Sequence, residues 1–200
     1  MTIMARVGVL ALQGGFKAHG AALTALSGDV VEVRRVADLS DLDGLVIPGG
    51  ESTTLLNLMA DEPWFEAIKR HKDEGGALMG TCAGAILLAK EVVNPAQPSL
   101  GVLDVKIERN AFGPQGESFE AKIDAPQWGG ALEALFIRAP RFVTLGPKVV
   151  TLATHVGQPV CVQEGLVLAT TFHPELTRNT VIHEYFMSLA QTAALTRRFL

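Results

Sequence analysis

Apolar positions along the chain fall into two textures. In the first, Arg6 to Leu12 carries VGVLAL, a continuous apolar run of the kind a central parallel strand needs. Gln13-Gly14-Gly15 turns the chain, and His19 to Leu26 reads as a helix. Val30 to Val36 alternates as a second strand, and Leu42 to Ile47 is a third. Pro48-Gly49-Gly50-Glu51-Ser52-Thr53-Thr54 is a glycine turn followed by good N-cap residues, which predicts a helix through Ala60. Pro63 opens another helix, closed by Gly75-Gly76. The apolar runs GALMG and GAILLA, from Gly76 to Ala89, then predict a buried strand and a helix start. This order of strands and helices predicts a doubly wound, mostly parallel sheet with ligands gathered beyond the strands' carboxyl ends.

After Asn94 the texture changes to short alternating strands: Leu103 to Arg109, Ser118 to Ile123, Leu135 to Arg138, Val149 to His155, Gln158 to Gln163 and Leu166 to Phe172. Gly157-Gln158 reads as a hairpin turn. Such strands predict an antiparallel extension of the sheet. Thr180 to Leu195 is an amphipathic helix with Val181, Tyr185, Phe186 and Leu189 on one side. No repeat or linker divides residues 1–200, which are expected to form one domain.

Candidate chemistry centres on Gly80-Thr81-Cys82-Ala83-Gly84, a nucleophile elbow with cysteine in the nucleophile's place. A tight strand-to-helix turn needs small residues two positions either side, and it puts the sulfur at a helix start, where N–H groups favour thiolate. The bland alternative is a buried, inert cysteine, the reading given to Cys161 in PVCVQ. His173-Pro174-Glu175 follows an apolar strand, so it can share a sheet edge with Cys82. Two residues apart on extended chain, the carboxylate can hold the imidazole in one tautomer. His155 is the runner-up base, while His19, His71 and His183 read as surface residues. Gly49-Gly50 and the N–H of Ala83 can meet a developing oxyanion. Arg109 and Arg138 end strands, where they either hold a substrate carboxylate or are simply solvated. No Cys or His pair has zinc-like spacing, so no metal is expected.

Composition narrows the setting. A hydrophobic fraction of 48% with 19% charged residues suits a sheet covered on both faces. A net charge of −4 gives no reason to expect nucleic acid or an anionic membrane, and no apolar run reaches membrane-spanning length. The first residues carry one arginine and an apolar run that breaks at Gln13 without a small-residue cleavage site. They read as a strand and not as a leader, and the expected location is cytoplasmic. Two cysteines in 200 residues make no disulfide framework.

With these pieces in place the chain resembles the class I (triad) glutamine amidotransferases. Within them it is similar to the glutaminase subunits of pyridoxal 5′-phosphate synthase. The resemblance rests on ALQG (Ala11 to Gly14), LVIPGGESTT (Leu45 to Thr54), GTCAG (Gly80 to Gly84) and ERNAFG (Glu108 to Gly113). It continues in SFEA (Ser118 to Ala121), FIRAP (Phe136 to Pro140) and FHPELT (Phe172 to Thr177). It implies a flavodoxin-like fold, Cys82 as nucleophile, His173 as acid/base and Glu175 as its orienting partner. L-Glutamine would be held by Gly50, Glu51, Ser52, Arg109, Ile137 and Arg138, with Gln13 near the oxyanion and the partner interface. The family uses no metal or organic cofactor in this subunit. Its partner is a (β/α)8-barrel synthase subunit in a large ring assembly, to which ammonia passes without reaching solvent. The chain departs from the usual pattern at Ala18, Ala111 and Pro114.

Overall fold

A computed structural model describes residues 4–26, 28–109, 111 and 118–199. Asn110, Phe112 and Gly113 of the ERNAFG motif, and the departure at Pro114, lie outside the described residues.

The predicted apolar runs become β1 (Arg6–Leu10), β2 (Asp29–Val33), β3 (Gly44–Ile47) and β4 (Ala77–Thr81). Between them lie α1 (Phe16–Ala25), α2 (Ser52–Leu58) and α3 (Trp64–Asp73). After the elbow, α4 (Ala83–Leu88) runs directly into β5 (Ala89–Val93). The second half supplies β6 (Leu103–Glu108), β7 (Phe119–Ala125), β8 (Gly130–Phe136) and β9 (Arg141–Leu145). It ends with β10 (Val150–His155), β11 (Gln158–Glu164), β12 (Val167–Thr170) and α5 (Val181–Phe199).

Nine strands form one sheet in the order β2-β1-β3-β4-β12-β11-β10-β7-β8. The first five pair in parallel and the rest antiparallel, so the sheet is doubly wound with an antiparallel extension. The order β2-β1-β3-β4-β12 is flavodoxin-like, and its switch point lies between β1 and β3. Alternate residues of the parallel strands enter opposite layers, as the pleat dictates. Leu10, Leu45, Ile47 and Leu78 meet α2, α3 and α4 in a core with Trp64 and Ile68. Val7, Val9, Val46, Met79 and Leu168 face α1 and α5 in a core with Leu23 and Phe186.

Three expectations need correction. The extension is not the whole of the second half: β5, β6 and β9 form a separate three-stranded sheet, joined to the α2–α4 layer through Val92, Leu103, Ile107 and Phe142. Neither β5 nor β9 was expected, because β5 follows α4 without a break and β9 is announced only by Pro140. β8 starts at Gly130 and not at Leu135. Its Gly, Ala and Glu residues are poor strand formers, although their burial alternates as a strand's should. The hairpin turn is Val156-Gly157, both at positive φ (48° and 74°), one residue earlier than expected.

The elbow glycines are required by contact. A Cβ on Gly80 would sit 2.6 Å from the Gly84 carbonyl, and one on Gly84 would run into the Ile47 carbonyl of β3. Both obstacles are backbone and cannot swing away. Gly84→Ala should therefore destabilise the chain by about 1–3 kcal/mol, read as a lower urea midpoint at unchanged slope.

Candidate active site

The parallel register brings the elbow and the His-Pro-Glu turn together. Thr170 of β12 pairs with Thr81 of β4, and the Cys82 N–H donates to the Thr170 carbonyl at 2.8 Å. The next residues on each strand therefore leave the sheet side by side. Cys82 has φ 49° and ψ −103°, a conformation a non-glycine residue seldom adopts and one that stores about 1–3 kcal/mol of strain. Its Sγ lies 3.8 Å from the Ile137 carbonyl. His173 faces it across Gly49, where an added Cβ would sit 2.9 Å from His173 Nδ1 and 3.3 Å from Cys82 Cβ.

His173 Nδ1 is 2.8 Å from Glu175 Oε1. Burial opposes charge on the imidazole, but the neighbouring Cys82 and Glu175 outweigh it and push His173 up to about 10. Burial likewise resists ionisation of Glu175, yet its bond to His173 and the nearby imidazoles hold it below its ordinary value. A sulfur, an imidazole that favours its charged form and an ionised carboxylate thus stand in sequence.

Around them is a cleft of about 140 Å³ lined by Gly50, Glu51, Ser52, Cys82, Ile86, Arg109, Ile137, Arg138 and His173. Larger hollows exist between Glu120 and Arg178 and between Val36 and Arg197, but none of the elbow residues lines them. The Glu51 carboxylate caps α2, accepting from the N–H groups of Thr53 (3.1 Å) and Thr54 (2.6 Å). Its hydrogen bonds, the Thr53 hydroxyl first, bring it down to about 2. Arg109, only 12% exposed at its side chain, has Glu51 Oε1 at 3.6 Å as a loose partner. Arg138 is exposed, with φ 43°, just past the end of β8. Gln13 Oε1 accepts from Glu51 N–H at 3.3 Å, and its amide lies against Gly50.

The expected oxyanion donors are not equivalent. Gly49 N–H donates to Thr81 Oγ1 at 2.9 Å, while the Gly49 carbonyl accepts from Gly15 N–H at 3.1 Å. Gly50 lines the cleft, and Ala83 opens α4 beside Cys82.

Three histidines read as surface residues are buried. His71 is 4% exposed, and its Nε2 sits 3.3 Å from the Ala77 carbonyl. His19 and His183 are 0% and 1% exposed and touch each other. Each falls on its helix's apolar stripe: His19 is one turn from Leu23, and His183 is one turn from Phe186. The helical period carries that signal, which the polarity of the side chains masks. The buried stripe of α5 runs through Ile182, Phe186 and Ala190, with Val181 and Tyr185 at its margin. His155 does not line the cleft, and its ring is tilted against those of Phe119 and Phe136 (centroids 5.9 and 5.5 Å apart). Cys161 is fully buried in β11, and burial pushes its thiol up. Sequence reading also missed Gln97, whose Oε1 accepts from the Ser52 hydroxyl at 2.9 Å. It is set by a loop without periodicity.

A cysteine elbow after β4 at the carboxyl edge of this sheet, with a histidine just beyond the neighbouring parallel strand β12, is the arrangement expected of the class I glutamine amidotransferases. Comparison with known proteins narrows it. Residues 9–192 match the SNO glutamine amidotransferase family, and the chain belongs to that family. It is 51% identical to the pyridoxal 5′-phosphate synthase subunit PdxT of Thermus thermophilus, over 92% of this chain and 97% of that one. It is 47% identical to the PdxT subunit of Thermosipho africanus, over 93% and 99%. A solved crystal structure of a glutamine amidotransferase shares 49% identity and superposes with a TM-score of 0.86, covering 92% of this chain and 98% of that one. A chain of the solved PurLQS structure from Thermotoga maritima shares the fold at 16% identity and a TM-score of 0.70, covering 97% of this chain and 99% of that one.

Proposed function

We propose that the chain is the glutaminase subunit of a pyridoxal 5′-phosphate synthase, releasing ammonia from L-glutamine for a synthase partner. The observation that carries this reading is the Thr81–Thr170 register, which seats Cys82 beside His173 at the mouth of a cleft with two arginines. The PdxT relatives support the pathway. In this reading the whole chain acts as one glutaminase domain in the cytoplasm, and the partner is a (β/α)8-barrel protein in a large assembly. Among the described residues no helix is long and apolar enough to cross a membrane.

Cys82 Sγ attacks the side-chain amide carbon of glutamine, and the oxyanion is met by the N–H groups of Gly50 and Ala83. His173 protonates the departing nitrogen, ammonia leaves, and a γ-glutamyl thioester remains on Cys82. His173 then takes a proton from water, hydroxide attacks the thioester, and glutamate departs. Glu175 orients the imidazole throughout. Arg109 and Arg138 grip the α-carboxylate, and the backbone of Gly50-Glu51-Ser52 and Ile137 frames the rest.

Among the described residues the Gly49-Gly50 peptide is held by one hydrogen bond, from Gly15 N–H, worth about 1 kcal/mol. Glycine accepts either peptide orientation, so the oxyanion donor at Gly50 is not locked in place. Gln13, lying against Gly50, is the lever through which a docked partner fixes it. Glutamate release from glutamine is expected to be weak for the chain alone and strongly raised by the synthase. Equal rates would overturn this part of the reading.

A further inference from the structure

Behind the reacting groups lies a buried chain of side chains that the mechanism leaves unused. Glu175 Oε1 is taken by His173; Oε2, on the far side, is buried without a hydrogen-bond partner among the described residues, with His19 Nε2 3.3 Å away. His19 Nε2 is also 3.1 Å from Thr81 Oγ1, the same oxygen that receives Gly49 N–H. On its other edge His19 Nδ1 meets His183 Nε2 of α5 at 2.9 Å, and His183 Nδ1 is buried without a partner. Both histidines are essentially inaccessible.

Hydrogen-bond accounting picks one tautomer. If His19 carried its proton on Nδ1, its bare Nε2 would accept the Thr81 hydroxyl proton while turning a lone pair toward Glu175 Oε2, leaving that buried carboxylate oxygen with no donor facing it. The ring would then donate to His183 Nε2, forcing the His183 proton onto Nδ1, where it is an orphan buried donor. Each is a costly arrangement. With the proton on Nε2 of both rings, His183 donates to His19, the His19 Nε2–H lies between Thr81 Oγ1 at 3.1 Å and Glu175 Oε2 at 3.3 Å, and His183 Nδ1 is left as a bare ring nitrogen.

We propose that His19 is a positioning residue for the reaction: its Nε2–H fixes the Glu175 carboxylate that orients His173, and His183 sets the His19 tautomer from the C-terminal helix. The groups facing His19 are Glu175, His173 and His183. Burial brings His19 down to about 3, Glu175 opposing and His183 reinforcing the shift, so the ring works as a neutral donor. A neutral donor steadies the carboxylate without competing as a second cation for its charge.

The inference rests on Cys82, His173 and Glu175 being the reacting set, and the two can fail separately. A Cys82→Ala chain that still hydrolyses glutamine sinks that reading, whereas an inert Cys82→Ala beside a normal His19→Leu sinks only this one. The experiment measures glutaminase kcat and KM of the complex with the synthase for His19→Leu and His19→Gln. Leucine should lower kcat by about 10- to 100-fold, the usual cost of losing an outer-shell orienting partner, with KM little changed. The glutamine amide, which places a donor where Nε2 stood, should restore most of the loss. Wild-type kcat in the leucine variant, or equal loss in both, overturns the proposal. Should the leucine variant not fold, His19→Asn replaces it, since its amide reaches only to the Nδ1 position; asparagine should fail where glutamine succeeds, and parity between them is contrary. Nitrogen-15 ring shifts of the unaltered protein add a check independent of folding. His19 should hold its proton on Nε2 and not titrate from pH 5 to 8; an Nδ1–H signal is contrary.

Discussion

Cys82→Ala should abolish glutamate release, by on the order of 10⁶-fold in kcat by analogy with nucleophile loss in triad hydrolases, while glutamine still binds. In the proposed mechanism the sulfur forms the bond that makes the thioester, and the hydroxyl that lines the cleft, that of Ser52, donates to Gln97. In the proposed reading the glutamine grip is Arg109, Arg138 and the Gly50–Ser52 segment, which line the cleft and are not altered by the substitution. Isothermal titration with glutamine and a coupled glutamate assay separate the two effects. Glu175→Ala is expected to cost less, about 10⁴-fold, because it removes the orienter and leaves both reacting groups. Full turnover in the Cys82 variant would end the hydrolytic mechanism.

Acid should unfold the chain unusually early. His19, His71 and His183 are held neutral chiefly by burial, at about 3, 4 and 4, against 6.5 for an ordinary histidine. Below pH 6.5 the unfolded chain takes up these protons, and the folded chain does not until about pH 4. Stability therefore falls as pH drops through that window, by about 1.4 kcal/mol per pH unit for each histidine and about 4 for the three together. His173, raised to about 10, stays protonated when folded and opposes the fall only near and above pH 6.5, where the unfolded ring loses its proton; well below that it adds no slope. Glu175, depressed, adds its loss only at lower pH, as its folded-state carboxylate is protonated. Urea midpoints measured at pH 7, 6 and 5 should drop steeply, and His71→Gln should flatten the fall by about one third, the share of one histidine in three. A midpoint constant from pH 7 to 5 would contradict the buried, neutral assignment.

The parallel half of the fold was legible because its determinants are local. Apolar runs mark β1, β3 and β4, and glycines mark the elbow, where Gly80 and Gly84 are needed for contact. The alignment of Gln13, Gly49-Gly50, Cys82 and His173 along one sheet edge followed from each ending a strand. The separate β5-β6-β9 sheet was not legible, because which strands pair depends on distant partners that periodicity does not name. The buried histidines were misjudged for another reason. Polarity predicts exposure only when a group lacks partners, and His19 and His183 bring their own across α1 and α5. Glu51 is among the expected glutamine-holding residues, and its carboxylate is the cap of α2.

Cys82, His173 and Glu175 stand at the tips of parallel strands, whereas Ile137 and Arg138 arrive from the end of β8, at the far border of the appended strands. Part of the proposed glutamine grip thus stands on strands other than those that carry the reacting groups. Lengthening or redrawing the chain after β8 could retune which amide is admitted while leaving the hydrolytic engine intact, an evolutionary freedom that a site built wholly on the parallel strands would lack.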